Sequence, residues 1–197
     1  MEFWRKLLEI LDASMTRPEP YGWFHLTFFA LSILGGILLC KFFKEGTEKQ
    51  VRTVILTVAI TVTVLEIYKQ INYTFVSDGT TVVTDYQWYI FPWQFCSMPM
   101  YVGLLAGATK QGKLHDALCA FLATYAVFAG CCVMFYPVSV FIETIGINVQ
   151  TMICHGSMIT VGMYLLYTGY VKAEQKTMLK ALPVFCVAVG IAVGLNE

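Results

Sequence analysis

Apolar residues gather into six runs, each close to the twenty or so residues a helix needs to cross a hydrocarbon core of about 30 Å. They cover Tyr21–Cys40, Val51–Phe75, Trp88–Ala108, Leu114–Tyr136, Ile147–Tyr170 and Lys176–Leu195. The stretches between them are short and rich in turn-forming or charged residues, among them KFFKEGTEKQ, SDGTTVVTD, TKQGK and VKAEQK. None is long enough to separate domains, and no repeat of fixed period is present. The pattern predicts an all-α polytopic membrane helix bundle of six transmembrane helices, a single integral membrane domain spanning residues 1–197 with the bundle at 21–197. Ahead of it, the first twenty residues set Phe3, Trp4, Leu7, Leu8 and Leu11 at helical spacing with charges between them. This segment is too polar and too short for a signal-peptide core. It reads as an amphipathic helix on the membrane surface, with a partly disordered tail as the alternative.

Composition agrees, since 57% of the residues are hydrophobic and 13% charged, the balance of a membrane protein. Lys and Arg cluster in alternate loops: Lys41, Lys44, Lys49 and Arg52, then Lys110 and Lys113, then Lys172, Lys176 and Lys180. The loops at 76–87 and 139–146 carry none. The positive-inside rule therefore puts the basic loops in the cytoplasm and the N-terminus outside a cell membrane, with Arg5, Lys6 and Arg17 opposing that assignment. A formal net charge of zero, without a glycine-rich phosphate loop or a larger basic cluster, argues against nucleotide or nucleic-acid partners. The seven cysteines sit within or at the ends of the apolar runs without paired spacing, so neither a disulfide framework nor a zinc site is expected. No motif calls for a metal or diffusible cofactor.

Polar side chains inside the runs change the picture, because such groups are costly in lipid and mark function by default. The second run places Glu66, Lys69, Gln70 and Tyr73 on one helical face. The third holds Gln94 and Cys96, and the fifth holds Asn148, Thr151 and His155 on one face with Gln150 and Cys154 beside it. Cys96 follows Trp88 by eight residues, a depth of roughly 12 Å at ~1.5 Å per residue. His155 and Glu66 fall at similar depth, so the three clusters share one layer in the outer half of the membrane.

Within the third run, Pro92, Cys96, Pro99, Gly103 and Gly107 form a stripe of small or helix-perturbing residues. The prolines are expected to free the carbonyls of Trp88 and Phe95, and the glycines to admit a close helix neighbour. A cysteine beside a histidine can yield a thiolate that attacks an acyl carbonyl, with Asn148 or Thr151 orienting the imidazole. The bland readings are packing for Cys96 and a mutual salt bridge for Glu66 and Lys69, with proton or ion movement as the sharper reading of that pair. Gln94 either donates to an oxyanion or satisfies a freed carbonyl. His25 reads as interfacial and His115 as solvated. Trp23, Tyr73, Tyr86, Trp88, Tyr89, Trp93 and Tyr136 read as an aromatic belt.

The order LEIYKQ, WYIFPWQFCSMPMY, VQTMICHGSM resembles the YwaF-type bacterial integral membrane proteins, which are related to eukaryotic transmembrane cysteine acyltransferases acting on ether phospholipids. The resemblance covers roughly Val51 to Tyr170. It implies a bacterial cell-membrane protein with Cys96 as nucleophile, His155 as general base and a membrane or acyl lipid as substrate. The androgen-induced membrane hydrolases resemble it with threonine and histidine in those roles. Family members commonly continue into another helix, so a seventh is expected beyond GLNE. The expected function is a lipid acyltransferase or hydrolase working through an acyl-thioester. The alternative is a non-enzymatic membrane protein, a small transporter or partner-binding subunit, whose polar layer is structural.

Overall fold

The computed structural model describes residues 2–77 and 81–195. Expectations for residues 78–80 and for the last two residues of GLNE lie outside the described residues. The amphipathic segment forms α1 (Glu2–Leu11), and the first two apolar runs form α2 (Trp23–Phe42) and α3 (Glu48–Thr74). Thr47 starts α3 with a capping box: its hydroxyl accepts from the Gln50 amide while the Gln50 side chain accepts from the Thr47 amide. Strands β1 (Phe75–Ser77) and β2 (Val82–Thr84) pair antiparallel with Val76 opposite Val83, a hairpin the loop composition did not predict. After it come α4 (Met98–Ala108), α5 (Lys113–Ala123), α6 (Tyr125–Phe135), α7 (Ile145–Tyr167) and α8 (Gln175–Leu195).

The third apolar run departs from its expected continuous helix. Residues 88–90 make one 3-10 turn, 91–97 are irregular, and only the 11 residues of α4 are helical. Proline explains where the helix begins. Pro99 occupies the first turn of α4, where its missing N–H costs no helical bond, while Pro92 lies in the irregular stretch. The prolines therefore bound a helix instead of kinking one. Among the described residues five helices are long and apolar enough to span a membrane: α2, α3, α5 and α6 end to end, α7 and α8.

The bundle is organised on α7, which packs against α2, α3, α5 and α6 and buries residues around its whole circumference. Helix α4 packs on α3, and α8 lies outermost against α5 and α6. The small-residue stripe performs its expected role at two positions. A Cβ on Gly103 would stand 3.0 Å from Ala59 Cβ, and one on Gly107 would come within 2.7 Å of Leu56 Cβ. Helix α1 is docked, not a disordered tail: Tyr68 Oη donates to the Leu11 carbonyl at 2.6 Å, and the Met15 amide donates to the Glu143 carbonyl at 2.7 Å. The hairpin and α1 thus close the end of the bundle toward which α3 runs.

Candidate functional site

The predicted polar layer assembles where α3, α7 and the irregular 91–97 segment meet. Lys69 Nζ lies 2.8 Å from Glu66 Oε1, and Gln70 Nε2 donates to the same oxygen at 2.8 Å. The other Glu66 oxygen accepts from Gln150 Nε2 of α7 at 3.4 Å. Gln70 Nε2 also reaches the Ile90 carbonyl at 2.9 Å, while its own oxygen accepts from Tyr86 Oη at 3.0 Å. Glu66 and Lys69 are both buried. A buried charge survives in such a place only when paired and hydrogen-bonded, and here one carboxylate is shared by an ammonium and two amides. The network ties the 3-10 turn to α3 and α3 to α7.

Cys96 sits at the edge of this layer in non-helical backbone. Its thiol donates weakly to Gln94 Oε1 at 3.7 Å, and its carbonyl accepts from the Cys154 thiol at 3.6 Å. Cys96 and Cys154 line one internal cavity of about 30 Å³ with Pro99, Met100 and Ser157. The Gln94 amide is committed to the Tyr89 carbonyl at 2.7 Å. Of the two readings of Gln94, it therefore satisfies a carbonyl, though neither of the two that proline was expected to free.

His155 follows Cys154 on α7 and is buried. Its Nδ1 is 2.8 Å from the Thr151 carbonyl one turn earlier. A carbonyl only accepts, so Nδ1 carries the proton and Nε2 holds the lone pair. Among the described residues no hydrogen bond joins His155 to Cys96. The Lys69 charge reaches Cys96, Cys154 and His155 alike.

Two of the expected orienting groups work differently. Thr151 holds the imidazole through its carbonyl, while its hydroxyl faces Gln150 Oε1 at 3.4 Å. Asn148 does not join the layer. Its side chain clamps the loop before α7, accepting from the Ile142 amide at 2.9 Å and donating to the Ile142 carbonyl at 2.7 Å. Gln150 and Cys154, noted only as neighbours of that polar face, are the α7 residues that reach Glu66 of α3 and Cys96 of the 91–97 segment. Their i, i+4 spacing was the available signal.

Three further expectations are corrected. His25 is buried, not interfacial, and donates from Nε2 to the Met134 carbonyl at 2.9 Å. His115 is buried, not solvated. Its Nδ1 donates to the Ala106 carbonyl at 3.0 Å, so its Nε2 accepts from Tyr170 Oη at 2.8 Å, with the Cys119 thiol 3.4 Å from the same nitrogen. Trp93 leaves the aromatic belt for the bundle, donating from Nε1 to the Ala188 carbonyl of α8 at 3.0 Å. Trp23, Trp88, Tyr89 and Tyr136 are broadly exposed, as a belt requires.

An apolar bundle of spanning length, an internal charged layer and a thiol at a helix break define a polytopic helical integral membrane protein with a polar site inside the bundle. The TMEM164 family model matches residues 20–197, and the chain belongs to the TMEM164 family. No curated protein and no solved structure matches it.

Proposed function

We propose that this protein is a lipid acyltransferase or hydrolase in which Cys96 forms an acyl-thioester and His155 handles the protons. The observation that carries the reading is Cys96 itself: a cysteine in irregular backbone, lining an apolar cavity beside a charged layer. In the proposed cycle Sγ attacks the carbonyl carbon of a lipid ester. His155 Nε2 takes the thiol proton and returns it to the departing lipid oxygen. A lysolipid hydroxyl or water then attacks the thioester, its proton passing through the same nitrogen to the released thiol. The tautomer fixed by Thr151 supports this role, because it leaves Nε2 able to accept. Nucleophile and base often make contact only when substrate is bound, and Cys96 lies in a turn ahead of α4, outside any regular helix, where it can adjust.

The order of the LEIYKQ, FPWQFC and ICHGSM segments adds the resemblance to YwaF-type proteins and their acyltransferase relatives. In the same reading the N-terminus lies outside a bacterial cell membrane, and the site lies in its outer half.

A second reading is favoured by one observation: the amides and charges around Glu66 satisfy one another across α3, α7 and the 3-10 turn. Such a layer can be purely structural in a transporter or partner-binding subunit. A lipid-like thiol probe separates the two. The enzyme reading expects labelling at Cys96 that is lost in Cys96→Ala and strongly suppressed in His155→Ala at unchanged folding. Equal labelling of several cysteines, or indifference to His155→Ala, would sink the dyad.

A further inference from the structure

Three apolar hollows lie end to end beside α3, each sharing lining residues with the next. At the hairpin end, Trp4, Leu7 and Leu11 of α1 face Ile71 and Phe75 across a groove of about 440 Å³. Ile71 and Phe75 also border a crevice of about 340 Å³ between α3 and α4, whose lining includes Glu66, Gln70, Pro92 and Met100. Met100 in turn borders the inner cavity that Cys96 lines. The α3 residues lining the crevice and the inner cavity follow one another down a single stripe, from Gln70 through Glu66 to Val62 and Ile55, while Ile71 and Phe75 connect the crevice to the groove at the hairpin end.

We propose that this track is a lateral entrance through which a phospholipid of the surrounding bilayer reaches Cys96, with Met100 as the partition between crevice and inner cavity. The inference rests on the catalytic reading of Cys96 for its purpose, but not for its geometry. An amphiphile fits the lining. Ile67, 54% exposed, and Phe75, 40% exposed, offer an apolar mouth to surrounding hydrocarbon. Glu66 and Gln70, although paired within the protein, put a polar spot into an otherwise apolar lining, which suits an amphiphile with ester groups beside its chains. The inner cavity, at about 30 Å³, has room for a water molecule or two, not for an alkyl chain, so it opens only when the wall moves. Met100 is suited to that movement, because an unbranched thioether side chain changes rotamer at little cost.

The test uses full-length protein in phosphatidylcholine vesicles containing a phosphatidylcholine with a diazirine near the end of one acyl chain. After irradiation, adducts are mapped by peptide. Adducts are expected to concentrate on 63–75 and 98–101, and Ile71→Trp, which fills the crevice, is expected to reduce them by about tenfold, or ~1.4 kcal/mol of occupancy. Met100→Ala should carry adducts inward to 55–62. Ile67→Trp replaces Ile71→Trp if the latter fails to elute as folded protein. Adducts spread evenly over the lipid-facing sides of α2 and α8, or a pattern unchanged by either tryptophan, would overturn the entrance. Cross-linking needs no thiol, so the pattern should persist in Cys96→Ala. An inert Cys96 would then defeat the catalytic reading alone.

Discussion

Replacing Glu66 with Met strands the Lys69 ammonium inside the bundle, and the cost follows from the contacts. The Lys69 side chain is 11% exposed and that of Glu66 is 6%, so screening by solvent is small. Breaking one side of a buried ion pair costs about 3–5 kcal/mol. Gln150 Nε2 also loses its acceptor, a further ~1 kcal/mol, whereas Gln70 keeps the Ile90 carbonyl. The long Lys69 stem can draw its charge toward an interface, which moves the expected total to about 3 kcal/mol. Glu66→Met/Lys69→Met removes both charges at similar volume and should lie within about 1 kcal/mol of the parent protein. Unfolding in mixed detergent micelles, followed by far-ultraviolet circular dichroism, measures all four members of the cycle. A coupling of roughly 2 kcal/mol or more is expected. A double variant no more stable than Glu66→Met would refute the idea that the unpaired ammonium sets the cost. The same variant tests function: thiol labelling at Cys96 that survives without either charge would assign the layer to structure.

Two other outcomes probe packing and the buried histidine cluster. A Cβ on Gly130 would fall 2.7 Å from the His155 carbonyl oxygen, whereas one on Gly190 meets nothing within 4 Å. Gly130→Ala should therefore destabilise by about 1–3 kcal/mol by forcing α6 from α7, while Gly190→Ala should stabilise by up to ~1 kcal/mol; equal effects in the same unfolding assay would contradict the packing. Burial, with the Cys119 thiol and the Glu48 and Asp116 carboxylates adding to it, pushes the Tyr170 phenol from 10.0 up to about 12. A folded value above the unfolded one stabilises below pH 10 and is lost as pH rises toward 12. Stability should fall more steeply over that window in the parent than in Tyr170→Phe, and parallel curves would remove Tyr170 as the cause.

Spans and their faces were legible because lipid imposes a length and a polarity that composition records directly. The polar layer was legible for the same reason at Glu66, Lys69 and Gln70, three polar groups within one apolar run, whereas Gln150 stood only beside the polar face of its run. Helix breaks were harder to read. The apolar run at 88–108 carries nothing in its mean polarity to separate a spanning helix from a turn, an irregular stretch and an 11-residue helix. Its two prolines held that information, and the positional preference of proline for a first helical turn locates the start of α4 better than a kink does.

The misread polar residues share one physical explanation. A helix leaves its last carbonyls without intrahelical donors. Arg52 donates to the Gly107 and Ala108 carbonyls at the end of α4, and His115 serves the Ala106 carbonyl just before them. Tyr21 and His25 do the same for Phe135 and Met134 at the end of α6. His25 read as interfacial and His115 as solvated because the partner of each is a backbone atom that residue spacing does not reveal: the Met134 carbonyl for His25 and, across a tight turn, the Ala106 carbonyl for His115. These acceptors stand at the C-termini of α4 and α6, where the third and fourth apolar runs end, and the histidines and arginine of other segments answer them. Cys96, Gln94 and Lys69 stand apart from that accounting. Gln94 and Lys69 are satisfied locally, and the thiol has a weak acceptor at 3.7 Å with the Ser97 side chain beside it. The polar side chains of the bundle thus include one set that closes the ends of α4 and α6 and another that gathers around Cys96 where α3, α7 and the 91–97 segment meet, and the chemistry proposed for the thiol belongs to the second set.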